Sequence, residues 1–359
     1  MLISRRSGLV LAAAFLLPLA AADKPWSPAV DEARQGGYQF QNLGGSPEHP
    51  VKLTVCADVA CAGKKDSVSV TQDSYSMPAP AEIARPYWLV ERGPGGKDGK
   101  QIIGARRIVL QGAYNFRDLG GMKTADGKSV RWGQVFRSDA LAQLTADDYV
   151  RLNSLGISLV CDLRTREERT TAPTDWKGAS PAYILAPVSE DAKGGSNNLA
   201  LTDALRSGKI TVEDGRKALE QFYVHVVLDS APKLGMVLRA IETTDHPAMF
   251  HCQGGRDRTG ITAALLLTML GVPKQTIMDD FVVSMKYLGE RPAAMPANAT
   301  EADLALAKRA AEITELQPRY LEAIFAAISQ KYGNFDAYRR QALRISDADV
   351  RELKVRLLQ

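Results

Sequence analysis

The chain has 359 residues, 45% of them hydrophobic and 24% charged, which suits one large or two ordinary globular domains and excludes the disordered and fibrous classes. Its net charge of +4 falls to +2 when Arg5 and Arg6 of an N-terminal leader are set aside. No arginine-rich or aromatic-interleaved stretch supplies the basic face that nucleic-acid binding needs.

Residues 1–22 read as an export signal: Arg5 and Arg6, an apolar core from Leu9 to Leu19, then Ala20-Ala21-Ala22 before Asp23. Eleven apolar residues are too few for a helix that needs about twenty to cross a bilayer, so cleavage after Ala22 is expected. The mature protein is then periplasmic or secreted, with no stable membrane span. From 23 to 105 the chain alternates short apolar runs with proline and glycine: Val51-Lys52-Leu53-Thr54-Val55, Val68-Ser69-Val70, and Tyr87-Trp88-Leu89-Val90 with a Gly93–Gly99 turn before Gln101-Ile102-Ile103-Gly104. This spacing predicts a small β-sandwich-like domain, either a module that stabilises or positions its neighbour or one that binds a ligand of its own. Cys56 and Cys61 lie close enough in sequence to close a small disulfide loop in an oxidising compartment.

From 106 to 359 strands alternate with helices: strands over 130–136 and 157–163, a helix over 147–155, helices over 211–227 and 231–242, and a buried strand over 247–251. That order predicts an α/β domain with a central, mainly parallel sheet flanked by helices and its site at the carboxyl ends of the strands. Ser138, Asp139, Asp162, Arg164 and Cys252 all fall at such ends. Cys161, in the 157–163 strand, is either core filler or a thiol able to bridge to Cys252. Between 189 and 211 a polar, glycine-containing stretch around a short helix at 199–207 reads as a surface excursion or a mobile lid.

The strand at 247–251 runs into His251-Cys252-Gln253-Gly254-Gly255-Arg256-Asp257-Arg258-Thr259-Gly260. Five residues separate Cys252 from Arg258, two of them glycine, so the backbone can curl until successive N–H groups point at one centre. Gln253, Gly254, Gly255, Arg256, Thr259 and Gly260 would line this anion site. An apolar helix starting near Thr259 adds its positive end to the same focus. Such a field favours the thiolate of Cys252 and makes it a nucleophile. Arg258 offers a planar fork for two phosphate oxygens, and Thr259 a hydroxyl for the sulfur. His251 reads as a hydrogen-bonding partner of the loop rather than a base.

The order Cys, five residues, Arg, Thr resembles the signature of the cysteine-dependent protein tyrosine phosphatase superfamily. Asn115-Phe116-Arg117-Asp118-Leu119-Gly120-Gly121, Phe136-Arg137-Ser138-Asp139-Ala140-Leu141, Cys161-Asp162-Leu163-Arg164 with Glu167 and Glu168, and Pro318-Arg319-Tyr320-Leu321 are similar to the atypical secreted bacterial tyrosine phosphatases of the mycobacterial protein tyrosine phosphatase B type. The likeness spans residues 106–359. One departure from it matters: these relatives usually carry Lys where this chain has Arg256, which exchanges a point charge for a broader fork.

The resemblance implies hydrolysis of phosphomonoesters through a phosphocysteine, with no metal and no cofactor. The implied substrates carry phosphotyrosine, with phosphoserine, phosphothreonine or phosphoinositides in addition. An inositol phosphate or phytate phosphatase is the alternative enzyme, and a phospho-ligand-binding protein without turnover the alternative of another class. Ester cleavage needs a carboxyl group to protonate the leaving oxygen. Asp257 in the loop and Asp162 at its strand end are the two candidates, Asp162 alternatively pairing with a loop arginine. Arg117 and Asp118 are read as bracing the site, and Arg137 as either a substrate contact or a structural ion pair. Oligomeric state is left open.

Overall fold

A computed structural model of the chain describes residues 26–80, 83–178, 180–189, 204–205, 207–292 and 298–359. The expected leader (1–22) and most of the expected lid (190–203 and 206) lie outside the described residues.

Seven strands come first. β1 (Ala29–Glu32), β2 (Tyr38–Gln41) and β5 (Tyr75–Met77) form one antiparallel sheet in the order β1-β2-β5. β3 (Val51–Cys56), β4 (Lys64–Val70), β6 (Tyr87–Arg92) and β7 (Gly99–Gly104) form a second, in the order β4-β3-β6-β7. Alternate residues point inward, so Val30, Tyr38 and Phe40 of the first sheet share one core with Val51, Leu53, Trp88 and Val90 of the second. Trp88 is fully buried, with Tyr38 and Phe40 edge-on at 4.6 and 5.1 Å between ring centres. Such pairs add about 0.5–1.5 kcal/mol each beyond the area they bury. The predicted sandwich is present, and Cys56 and Cys61 are joined with their Cα atoms 4.8 Å apart.

The second sheet system is the one that carries the site. β8 (Arg117–Asp118), β9 (Val135–Ser138), β10 (Leu159–Asp162), β11 (Ala182–Leu185) and β12 (Ala248–His251) lie in the order β11-β10-β12-β9-β8, all parallel except β8. β12 is central and buried along its whole length, which is why Ala-Met-Phe-His reads as a continuous run rather than an alternating one. Its side chains nevertheless divide between two cores. Phe250 faces a large one built with α3 (Val212–Asp229), α4 (Ala231–Thr243), α5 (Asp257–Leu270), α6 (Lys274–Leu288) and α8 (Pro318–Tyr332). Met249 faces a smaller one with Phe136, Val160 and Leu152 of α1 (Ala146–Ser154).

The predicted strand over 130–136 is replaced by β9, which starts at Val135. Gly133 takes a left-handed turn at φ +74° and gives its N–H to Asp118 Oδ2 at 2.7 Å, so the chain bends before the sheet begins. Val130 instead bridges to Leu358 just past α10 (Asp347–Leu357), tying the C-terminus to the sheet side of the molecule. α5 is buried nearly all round, as a helix apolar on every face must be. It begins at Asp257, two residues earlier than its apolar composition suggests.

Candidate active site

β12 ends at His251 and α5 begins at Asp257, so residues 252–256 must turn a parallel strand into a helix within five residues. Gly255 makes the turn at φ +65°. A Cβ there would sit 2.5 Å from both Asp139 N and Ser138 O, so no other residue fits. Gly254 is different, because a Cβ on it would meet only the Arg256 side chain, at 3.6 Å. Gly260, one turn into α5, lets the helix lie against the Phe281 ring, which a Cβ would approach to 2.7 Å.

The carbonyls of residues 253–255 are drawn backwards. Gln253 O accepts from Ala140 N at 3.1 Å, Gly254 O from Asn115 Nδ2 at 3.4 Å, and Gly255 O from Asn115 Nδ2 at 2.9 Å and Arg137 Nη2 at 2.8 Å. The N–H groups of Gln253, Gly254, Gly255 and Arg256 donate to no acceptor among the described residues. Carbonyls tied back and amides left forward make an anion-binding nest, and the first turn of α5 adds its own free N–H groups. Cys252, 1% exposed, sits at its base.

Arg258 is aimed by a residue whose role was not read from sequence. Glu168 accepts from both its guanidinium nitrogens, Nη1 to Oε2 and Nη2 to Oε1, each at 2.6 Å. Burial works against the Arg258 cation, but the Glu168 hydrogen bonds and the charge of Cys252 outweigh it and raise its pKa. Glu168 is fixed in turn: it is the third residue of α2 (Arg166–Thr171) and closes a capping box with Thr165, taking Thr165 N at 2.8 Å. The T-x-x-E spacing was the available signal. It marks a helix start, not a partner.

Arg137 proves to be a structural cation, not a substrate contact. It is fully buried, donates to Gly255 O, and pairs through Nη1 with Asp280 Oδ2 at 2.6 Å. Arg117 takes the other oxygen of Asp280 at 2.9 Å and also reaches Ser284 Oγ and Asn115 Oδ1. Burial raises the Asp280 carboxyl, but the two guanidiniums overwhelm this and hold it below the usual carboxylate range. Burial and the neighbouring Arg117 lower Arg137 to about 10. Two cations share one carboxylate, so the floor of the loop keeps a net positive charge. Asp118 braces a different turn, accepting from Gly120 N, Gly133 N and Arg85.

The two candidate acids sit in unlike places. Asp257 is at the rim, its side chain 22% exposed, with Oδ1 taking the Tyr223 hydroxyl and Oδ2 taking Arg256 Nε at 3.0 Å. Arg256 also gives Nη1 to Thr314 O, at the end of α7 (Glu301–Thr314), at 3.1 Å. Asp162 is 2% exposed and held by Arg164, through the backbone N–H at 2.9 Å, Nε at 3.0 Å and Nη2 at 2.8 Å. Its partner is therefore Arg164, not an arginine of the loop. Burial raises the Asp162 carboxyl, and the charges of His251 and Arg164 with the Arg164 hydrogen bonds reverse this. At neutral pH Arg164 carries that effect, because burial lowers His251 to about 4 and leaves it uncharged.

His251 Nδ1 lies 3.4 Å from Cys252 O and its Nε2 3.8 Å from Asp162. An imidazole kept neutral in the fold but protonated at about 6.5 when unfolded makes the unfolded state bind more protons between these values, so stability must fall as pH drops from about 6.5 to about 4. The expected contribution over that window is roughly 3 kcal/mol. Urea midpoints of His251→Asn against the parent protein should show a flatter pH dependence for the variant; parallel curves would remove His251 from the account.

Thr259 Oγ1 is buried without a hydrogen-bond partner among the described residues. Cys161 is pushed up to about 12 by burial. Its strand register sets it opposite Phe250, so it shares a sheet face with Cys252 two residues further on. Strand spacings put such Cα atoms about 8 Å apart, beyond the ordinary disulfide reach of about 7 Å. A bridge would require the loop to move.

Among the described residues no group of three or more His, Cys, Asp or Glu side chains is placed to hold a metal ion, and no helix is long and apolar enough to cross a membrane.

Comparison with known proteins places these motifs. Residues 108–359 match a family model described as the tyrosine phosphatase family. The chain is 29% identical over 264 residues to a Cupriavidus necator protein named as a tyrosine-protein phosphatase, covering 72% of this chain and 92% of that one. It is 28% identical over 226 residues to a tyrosine-protein phosphatase of Nostoc commune, covering 62% and 73%. With the triple specificity protein phosphatase of Mycobacterium tuberculosis it shares 27% identity over 277 residues, covering 69% and 98%.

Proposed function

The chain belongs to the tyrosine phosphatase family, and we propose that it is an exported phosphatase that cleaves phosphomonoesters through a phosphocysteine on Cys252. The observation that carries this reading is the orientation of the loop: carbonyls of residues 253–255 bonded backwards, amides of 253–256 without an acceptor among the described residues, and Arg258 aimed by Glu168. Cys252 Sγ attacks phosphorus, the P–S bond forms as the P–O bond breaks, and the leaving oxygen takes a proton from Asp257. Water then attacks the phosphocysteine, gives its proton to Asp257, and the sulfur departs as thiolate. Preorganised amides and the Arg258 fork stabilise the charge on the transferring group in both steps.

Asp257 is preferred to Asp162 as the acid because it stands at the exposed rim, whereas Asp162 is enclosed and engaged by three donors of Arg164. The test is a series of aryl phosphates of rising leaving-group pKa. Asp257→Asn should lose rate steeply as the leaving group becomes more basic, by about 100-fold or more for the poorest, and Asp162→Asn should show the parent's slope. A steep dependence in Asp162→Asn alone would exchange the roles.

Phosphotyrosine is the proposed substrate group, with phosphoserine, phosphothreonine and phosphoinositides as further substrates; a relative named for triple specificity supports this breadth. Arg256 at the rim of the loop is the cation an additional phosphate would recruit, in competition with its present acceptors Asp257 and Thr314 O. Export rests on Arg5 and Arg6 before the apolar stretch 9–19 and on the Cys56–Cys61 disulfide, which suits an oxidising compartment. N-terminal sequencing of the mature protein should begin at Asp23; a protein retaining Arg5 and Arg6 in the cytoplasm would overturn it.

A further inference from the structure

The family match begins at residue 108, so β1–β7 precede it, yet a side chain from this strand-rich part enters the frame that seats the phosphate loop. Arg34 lies in the turn after β1, where Ala33 N bonds Gly37 O at 3.0 Å and Gly36 and Gly37 adopt φ of +94° and +80°. From there it donates Nη2 to Ala113 O at 2.9 Å and lays its guanidinium 3.7 Å from the centre of the Tyr114 ring. Its Nε is 3.5 Å from Glu290.

Residues 113–115 are the segment on which the loop rests. The N–H groups of Tyr114 and Asn115 both go to Asp139, at 3.1 and 3.0 Å, and Asn115 Nδ2 holds Gly255 O at 2.9 Å. Asp139 N lies where a side chain on Gly255 would have to go. A second guanidinium, Arg291, is 5.2 Å from the Tyr114 ring and bonds Asp139 Oδ2 at 2.6 Å. Tyr114 is thus held by a cation from each part of the chain, and Asn115 beside it carries that hold to the loop.

The other contacts of β1 fasten elsewhere. Glu32 takes Val109 N at 2.9 Å and Arg151 at 2.5 Å, and Asp31 takes the Tyr287 hydroxyl at 3.0 Å. They anchor the strand without touching 113–115. Arg34 alone among these side chains bonds the segment that contacts Gly255.

We infer that Arg34 is a positioning residue for the phosphate loop, and that the N-terminal sheets are part of the active site's frame. Removing the side chain frees Ala113 O and one side of the Tyr114 ring, so Asn115 holds Gly255 O in a wider range of geometries. A transition state demands closer placement than a bound phosphate does. The effect therefore falls more on kcat than on KM.

The inference rests on the family's phosphatase activity and not on the identity of the acid or the intermediate. For the full mature protein, Arg34→Ala should lower kcat for p-nitrophenyl phosphate about tenfold, with KM changed less than twofold, and weaken inhibition by vanadate by a similar factor. Arg34→Lys, which keeps a donor for Ala113 O, should recover part of the loss. Glu32→Gln, which loosens the same strand away from 113–115, should match the parent in kcat. Calorimetric titration with inorganic phosphate reads the loop without turnover, and there Arg34→Ala should bind no more than about threefold more weakly. Equal losses in Arg34→Ala and Glu32→Gln, or parent-like kcat and vanadate inhibition in a folded Arg34→Ala, would overturn the inference. An inactive parent that still binds phosphate would count against the proposed turnover and leave vanadate binding, expected about tenfold weaker in Arg34→Ala and unchanged in Glu32→Gln, to judge Arg34.

Discussion

Cys252→Ser should abolish turnover of p-nitrophenyl phosphate, by a factor on the order of 10^4 or more, while leaving phosphate binding within a few-fold of the parent. The two outcomes separate because the site's parts are separable. The nest is made of backbone amides whose direction is set by Asn115, Arg137 and Ala140 acting on the loop's carbonyls, and none of these bonds involves the sulfur. Arg258 is aimed by Glu168, again without Cys252. A serine occupies nearly the same volume in a position that is 1% exposed, so the anion site should survive, but its hydroxyl keeps its proton at neutral pH and cannot displace an alcohol from phosphorus. Stopped turnover with intact binding of inorganic phosphate is the expected pair of results. Residual turnover at a tenth of the parent rate would place the nucleophile elsewhere. Loss of phosphate binding would mean that the thiol, not the backbone, organises the loop.

The parts of this site that were legible in the sequence are those that act within a few residues of one another. Cys252, Gly255, Arg258 and the start of α5 lie on seven consecutive residues, so their chemistry could be read as spacing. Glu168 could be read only as a helix cap, because its bond to Arg258 exists only once β10 and β12 lie side by side. Arg137 was ambiguous for the same reason. Its carboxylate partner is 143 positions away in sequence on α6, and its acceptor Gly255 is 118 away. Asp162 was assigned a possible loop arginine, whereas the nearer Arg164, two residues on, takes all the geometry a carboxylate offers. Strand ends were misjudged where a glycine carries the bend, as at Gly133. The edge strand β11 was not read at all: Ala182-Tyr183-Ile184-Leu185 is a run of only four apolar residues, too short for periodicity to tell strand from loop or helix.

The deepest of these long-range contacts should also be the most costly to break. Asp280→Asn should destabilise the protein by about 3–5 kcal/mol, the usual cost of leaving a buried charge without its partner, and here two are left. Arg117 and Arg137 are both fully buried and meet at the single carboxylate of Asp280, at 2.9 and 2.6 Å. Asn preserves the shape and one acceptor but removes the charge that holds two guanidiniums together. Because the Asp280 pKa is depressed in the fold, its contribution is present at and above the ordinary carboxylate range and is lost only as pH falls below that range through the folded value. The penalty should accordingly be constant between pH 5 and 8, where both folded and unfolded carboxyls are ionised. Asp279→Asn, on the exposed side of the same helix turn, should change stability by no more than about 0.5 kcal/mol. Urea unfolding of the two variants compares them directly. The Asp280 variant should also lose activity in excess of its unfolded fraction, because Arg137 carries Gly255 O as well as Asp280. Equal stability of the two variants would show that the loop floor tolerates an unpaired guanidinium, and the account of how Gly255 is held would then have to rest on Asn115.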